Sequence, residues 1–239
     1  AQVRIIAAGN RDQDGAFTTD LSTPMKSRMK HQEMQPNLRE WQGWARANRV
    51  YPTIIAFLGS RERFFYDFDP RTTDHTFPCP RTWTLLSESL ALADERGVTD
   101  PHIRRINVEA YVGPGAAVEY AKFEELALHC PSADDIVADP EGTKVFERRP
   151  DMAMVCVENL VDACRRDPEQ YIDGALRYVA RMHAEYQTIF HGVILNLHGD
   201  MPQKVIERAL DSPHFSTIQG NVGRLNRVLK EDARVAASA

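Results

Sequence analysis

Only one stretch of this chain has the pattern of a buried β-strand, and it stands at the very beginning. Residues 3–8 (VRIIAA) run into Gly9 and Asn10, an apolar run closed by a glycine, as in a strand covered on both faces of a parallel sheet. A second, shorter strand candidate, residues 30–34 (KHQEM), follows twenty residues after Asn10. From Pro36 onward the periodicity is helical. A lone strand cannot satisfy its own N–H and C=O groups, and a parallel neighbour needs a crossover of about a dozen residues or more. The expected fold is therefore mainly α with a short β remnant at the N-terminus. The strand's missing partners are expected upstream, which would make these 239 residues the C-terminal part of a longer chain.

The helical pattern divides into recognisable units. Asn37 is placed to cap a helix with Glu40 at its third position, and Trp41, Trp44 and Ala45 fall on one face. Pro52 suits the first turn of a second helix that Gly59 ends. A polar, aromatic-rich loop over 61–79 leads into a helix starting at Pro80, with Trp83, Leu86, Leu90 and Ala93 at intervals of 3 and 4 and Gly97 as its stop. Further helical periods cover 101–111, 115–128, 151–166, 169–197 with a break near 183–190, and 202–210.

Charge narrows the function classes. The net charge of -5 and pI of about 5.9 argue against a general nucleic-acid or acidic-membrane binder, so any phosphate must be gripped locally. Cys79, Cys130, Cys156 and Cys164 show no CxxC spacing and read as free thiols of a reducing compartment, with cytoplasm as the expected location. No apolar run approaches the roughly 18–20 residues that span a bilayer. His31, His75, His191 and His198 lack the spacing of metal ligands.

Three residues carry the chemistry. Asn10 follows the strand, Arg28 comes eighteen positions later, and Arg81 opens the helix after Pro80. An amide at the C-terminal end of a central strand stands where open α/β sheets place ligands, and it orients a water or a terminal phosphate without adding charge. Arginine's planar fork suits phosphate oxygens, and a guanidinium beside a transferring phosphoryl group stabilises the transition-state charge. Each has a plainer reading. Gly-Asn is ordinary turn punctuation, and a basic run at a short helix's C-terminus compensates its dipole. Arg81 lacks that excuse, because a cation at a helix N-terminus opposes the dipole and calls for an anionic partner.

In order and spacing, "IIAAGN", "LSTPMKSRM" and "PCPRTWTLLSESL" resemble sensor 1, the arginine-finger box and sensor 2 of AAA+ ATPases of the MoxR-like branch. The finger box of that group runs Leu-Pro-x-Ala-Leu-x-(Asn/Asp/Ser)-Arg-Phe. Leu21, Ser27 and Arg28 align with it without a gap, whereas Thr23, Lys26 and Met29 depart. "YVGPGAAVEYAKF" is similar to the segment after the lid, so the resemblance covers about the first 140 residues. It implies that residues 1–35 end an α/β nucleotide-binding core, 36–130 form a helical lid and 131–239 a helical extension. It further implies a homo-oligomeric ring that uses ATP and Mg2+ to remodel or mature a client protein, with Asn10, Arg28 and Arg81 catalytic and Asn10 and Arg81 also nucleotide-binding. The tryptophans at 41, 44 and 83 read as lid core.

No G-x-x-x-x-G-K-[ST] occurs, and no apolar strand ends in paired acidic residues before Asn10. These residues by themselves are expected not to hydrolyse ATP. Beside the ATPase reading stands a second one, a non-catalytic helical interaction module related to AAA+ lids.

Overall fold

The computed structural model describes residues 5–10, 19–71, 75–195 and 201–237, with side chains up to residue 227. Among them are eleven α-helices and no strand. They are α1 (Thr23–Lys26), α2 (Leu38–Ala47), α3 (Pro52–Ser60), α4 (Pro80–Glu95), α5 (Pro101–Ala127), α6 (Ala133–Ala138), α7 (Pro150–Arg166), α8 (Pro168–Ala180), α9 (Ala184–Ile194), α10 (Gln203–Leu210) and α11 (Pro213–Ala237). A single 3-10 turn, Glu62–Phe64, follows α3.

The β remnant is not formed among the described residues. Residues 5–10 and 30–34 carry no regular structure, and Ile5 and Ile6 are 84% and 93% exposed; Val3 and Arg4 lie outside the described residues. The reason is the one that made the run conspicuous: a strand exists only where a neighbour takes its backbone hydrogen bonds. Every described residue before Leu38 is exposed.

From Leu38 onward the chain packs around one continuous core. Helix α3 is its centre. Ile54, Ile55, Ala56, Phe57 and Leu58 are all buried, and a helix that is apolar all round must be covered on every side. It packs on α2, α5, α7 and the 3-10 turn. The Phe57 ring meets Phe64, Trp83, Tyr120 and Phe123 at centroid distances of 5.4–5.5 Å. Helix α7 in turn carries α8 and α9, on which α10 and α11 close.

Several local signals act as expected. Asn37 Oδ1 accepts the Glu40 N–H at 3.1 Å, capping α2. Gly97 has φ +68° after α4; its N–H donates to Asp94 O and that of Val98 to Ala93 O, the paired bonds of a glycine-terminated helix. Two apolar assignments shift. Trp41 and Trp83 are buried, but Trp44 is 47% exposed, while Arg46 of the same helix is buried. The break after α8 falls at residues 181–183, ahead of the 183–190 expected. Helices α6 and α11 were not marked by periodicity; α6 is too short to show one, although Ser132 caps it through the Asp135 N–H.

Helix α5 kinks where the two expected periods meet. Gly113 has φ +77° and ψ 166°, and Pro114 has no N–H to give the Ala110 carbonyl. A Cβ at Gly113 would sit 3.2 Å from Thr76 O. Gly113→Ala is therefore expected to destabilise the fold by about 1–3 kcal/mol. Gly115→Ala, two residues on with open space around it and no positive φ, should be neutral or stabilise by up to about 1 kcal/mol. The urea unfolding midpoint of Gly113→Ala should fall while that of Gly115→Ala holds or rises; equal midpoints would show that the kink is not held by Gly113.

Candidate functional site

Arg81 is the best-defined of the three expected site residues. The kink in α5 begins its construction: the Thr76 hydroxyl donates to the Tyr111 carbonyl at 2.6 Å and ties the incoming loop to α5. The loop is fastened again where the Asp67 N–H donates to Pro78 O at 3.0 Å. Cys79 then caps α4 with extended backbone, and its N–H donates to Thr82 Oγ1 at 2.9 Å. Thr82 Oγ1 lies 3.2 Å from Phe77 O and 3.0 Å from Cys79 O, carbonyls to which its hydroxyl can donate. Next along, Trp83 is fully buried and its indole N–H donates to Phe64 O at 2.7 Å. With Thr82 and Trp83 turned inward, Arg81 at the second helical position is left on the surface, exposed. Among the described residues it has no hydrogen bond or ion pair. A cation at a helix N-terminus, where the dipole also favours negative charge, suits an anion.

The other two residues are exposed. Asn10 stands in the irregular segment 5–10. Arg28 follows α1, and its Nη1 donates to Pro24 O at 3.1 Å, so part of its fork serves a carbonyl of its own short helix. The basic run around it is partly neutralised: Lys26 Nζ meets Asp20 at 3.0 Å. Among the described residues, no contact joins Asn10, Arg28 and Arg81 to one another. No group of three or more His, Cys, Asp or Glu gathers to hold a metal ion among them, and His198 lies outside them. Among the described residues no helix is long and apolar enough to cross a membrane.

Three features escaped the sequence reading. The first is a buried ion pair between α2 and α7: Arg46 Nη2 and Nε donate to the two carboxylate oxygens of Glu158 at 2.7 and 2.9 Å, with side chains 6% and 1% exposed. The signal was Glu158 itself, an acid inside the apolar run of α7, which must have a partner to be buried. The second is a cleft of about 820 Å³ between α2, α3, α7 and α9, whose walls mix Arg39, Arg61 and Arg149 with Asp151 and Glu185. The Arg61 guanidinium lies over the rings of Phe57 and Phe123, at 5.5 and 5.2 Å.

The third is a polar cluster that fastens α4 to α5. Arg104 bridges Glu124, at 2.8 Å, and Asp94, at 3.2 Å, and Asp94 accepts the Tyr51 hydroxyl. Burial and the Asp94 hydrogen bond push the Tyr51 hydroxyl up to about 12, so it remains a proton donor throughout the neutral range.

No protein-family model matches the chain, and neither a curated protein nor a solved structure matches it.

Proposed function

We propose that these residues are the C-terminal part of a MoxR-like AAA+ ATPase, which couples ATP binding and hydrolysis to the remodelling or maturation of a partner protein. The observation that supports this most is Arg81, an exposed cation in the first turn of α4, set against the helix dipole, without an acidic partner among the described residues and presented by a loop pinned at Thr76 and Thr82. The order Asn10, Arg28, Arg81 supports it further. In this reading, bound ATP with Mg2+ supplies the phosphoryl group and neutralises part of its charge. Arg81 holds the phosphates, Asn10 orients the attacking water, and Arg28 meets transition-state charge on a neighbouring subunit's nucleotide. Arg28 and Asn10 need no contact with Arg81 inside one chain, because the first acts across a ring interface and the second needs a sheet around it. The P-loop is not among these 239 residues, so turnover belongs to a protein that joins them to one.

A second reading, a non-catalytic helical interaction module, is favoured by one observation: the core begins at Trp41 and takes nothing from the exposed residues ahead of Leu38.

The coding frame separates the two. A GKT or GKS motif encoded in the same frame ahead of Ala1 supports the ATPase, and a stop followed by a start codon removes it. In a protein carrying both halves, Asn10→Ala is expected to leave ATP affinity largely intact while turnover falls, since an amide that positions water acts mainly in the transition state. Parental turnover in the variant would take Asn10 out of the mechanism.

A further inference from the structure

Two thiols meet where the end of α5 crosses the middle of α7. Cys130 stands in the turn after α5, its Sγ 3.8 Å from Met152 O and 3.9 Å from Leu126 O. Within α7 the Met152 carbonyl is also the acceptor for the Cys156 N–H four residues on. The Cys130 sulfur therefore lies against the carbonyl that anchors the Cys156 backbone, and the two thiols are close enough to act on one another electrostatically.

The pair is asymmetric in access and in charge. Cys130 is half-buried and lines an open groove of about 630 Å³ with Pro131, Lys144, Phe146 and Arg149. Cys156 is fully buried. The neighbouring Cys156 side chain, aided by Arg149 and opposed by burial and Asp151, holds the Cys130 thiol below its ordinary range. The neighbouring Cys130, together with burial, raises Cys156, which stays protonated. An accessible sulfur with thiolate character next to a protonated partner is the arrangement of an attacking and a resolving cysteine. The other thiols lack it: Cys164 is fully buried with burial raising it, and Cys79 sits at the α4 cap.

We propose that Cys130 and Cys156 form a reversible intramolecular disulfide when the protein meets a peroxide. The Cys130 thiolate attacks one peroxide oxygen, the O–O bond breaks, and hydroxide leaves, giving a sulfenic acid at Cys130. The Cys156 sulfur then attacks the Cys130 sulfur, and its proton departs with the displaced hydroxyl as water. Two thiols and one hydrogen peroxide become one disulfide and two waters. A small thiol reverses it through a mixed disulfide, with Cys130 the reachable sulfur. The link would tie the α5–α6 turn to α7, the helix that packs on α3, α8 and α9.

Hydrogen peroxide treatment of the full chain, followed by non-reducing peptide mapping, tests this. Two of the four thiols should disappear, in a single cross-linked peptide pair joining Cys130 to Cys156 and lighter by two hydrogens, and dithiothreitol should restore both. Cys156→Ala should leave a Cys130 sulfenic acid that dimedone labels, and Cys130→Ser should leave Cys156 unmodified. The proposal is overturned by Cys130 oxidised to sulfinic acid in the parent with Cys156 still a thiol, or by Cys130 linked to a second chain. It is equally overturned if both thiols stay intact at a peroxide dose that consumes them in the urea-unfolded chain. The parent protein alone decides among these outcomes, so a variant that fails to fold removes nothing.

Discussion

Glu158→Ala should lose about 3–5 kcal/mol of folding stability, because it leaves the Arg46 guanidinium buried against α7 without its carboxylate. Arg46→Ala should cost a similar amount for the mirror-image reason. Replacing both by apolar residues of like volume, Arg46→Met with Glu158→Leu, should come out near neutral or more stable than the parent by up to about 4 kcal/mol. The double replacement matters more than either single change. The Coulombic attraction of a buried bidentate pair is offset by the cost of taking both charges out of water, and breaking the pair removes that attraction while the remaining charge stays buried. An exposed pair gives the contrast: Lys122 meets Glu119 at 2.9 Å on the surface of α5, and Glu119→Ala should cost no more than about 1 kcal/mol. Urea unfolding of the four variants checks the set. A cost for Glu158→Ala as small as that for Glu119→Ala would mean that water reaches the α2–α7 seam.

Much of the fold was legible from sequence because the signals were local. Asn37 with Glu40, Pro80 with Gly97, and the Gly113-Pro114 pair each act within a few residues of themselves, and each sets a helix boundary or kink where it stands. What was not legible depends on partners distant in sequence. Arg46 and Glu158 are 112 positions apart, and an arginine one place beyond Ala45 has no local reason to point inward; its carboxylate supplies one. Cys130 and Cys156 have no motif spacing and are neighbours only because α5 and α7 cross. The expected strand failed in the opposite way. Its local pattern is clear, but a strand is a property of pairs, and among the described residues it finds no partner. Arg81 was legible because its position violates a local rule. The structure adds why it stays exposed, since Thr82 and Trp83, the two residues after it, are bound inward.

Arg28 carries the largest expected change in activity. In a protein that joins these residues to a P-loop, Arg28→Ala should lower ATP hydrolysis by about 10³-fold or more while leaving ATP affinity in its own subunit unchanged, the behaviour of a guanidinium that meets transition-state charge across an interface. The geometry leaves it free to do so. Its one side-chain hydrogen bond among the described residues, to Pro24 O at 3.1 Å, is solvent-exposed, uses one of five donors and is worth only about 1 kcal/mol, so swinging toward a neighbour costs little. Lysine should not rescue, since a point charge on a flexible stem lacks the planar fork. Mixing separates a trans role from a local one. Subunits with Arg28→Ala and subunits with a broken P-loop are each inactive alone, but a mixed ring contains junctions where an intact Arg28 faces an intact P-loop, and those junctions should recover activity. Two other results would reassign the residue. If Arg28→Ala hydrolyses ATP at the parental rate, the fork serves only the carbonyls of α1. If the variant loses activity and mixing restores none, Arg28 acts within its own subunit, as a support for α1 and not as a finger.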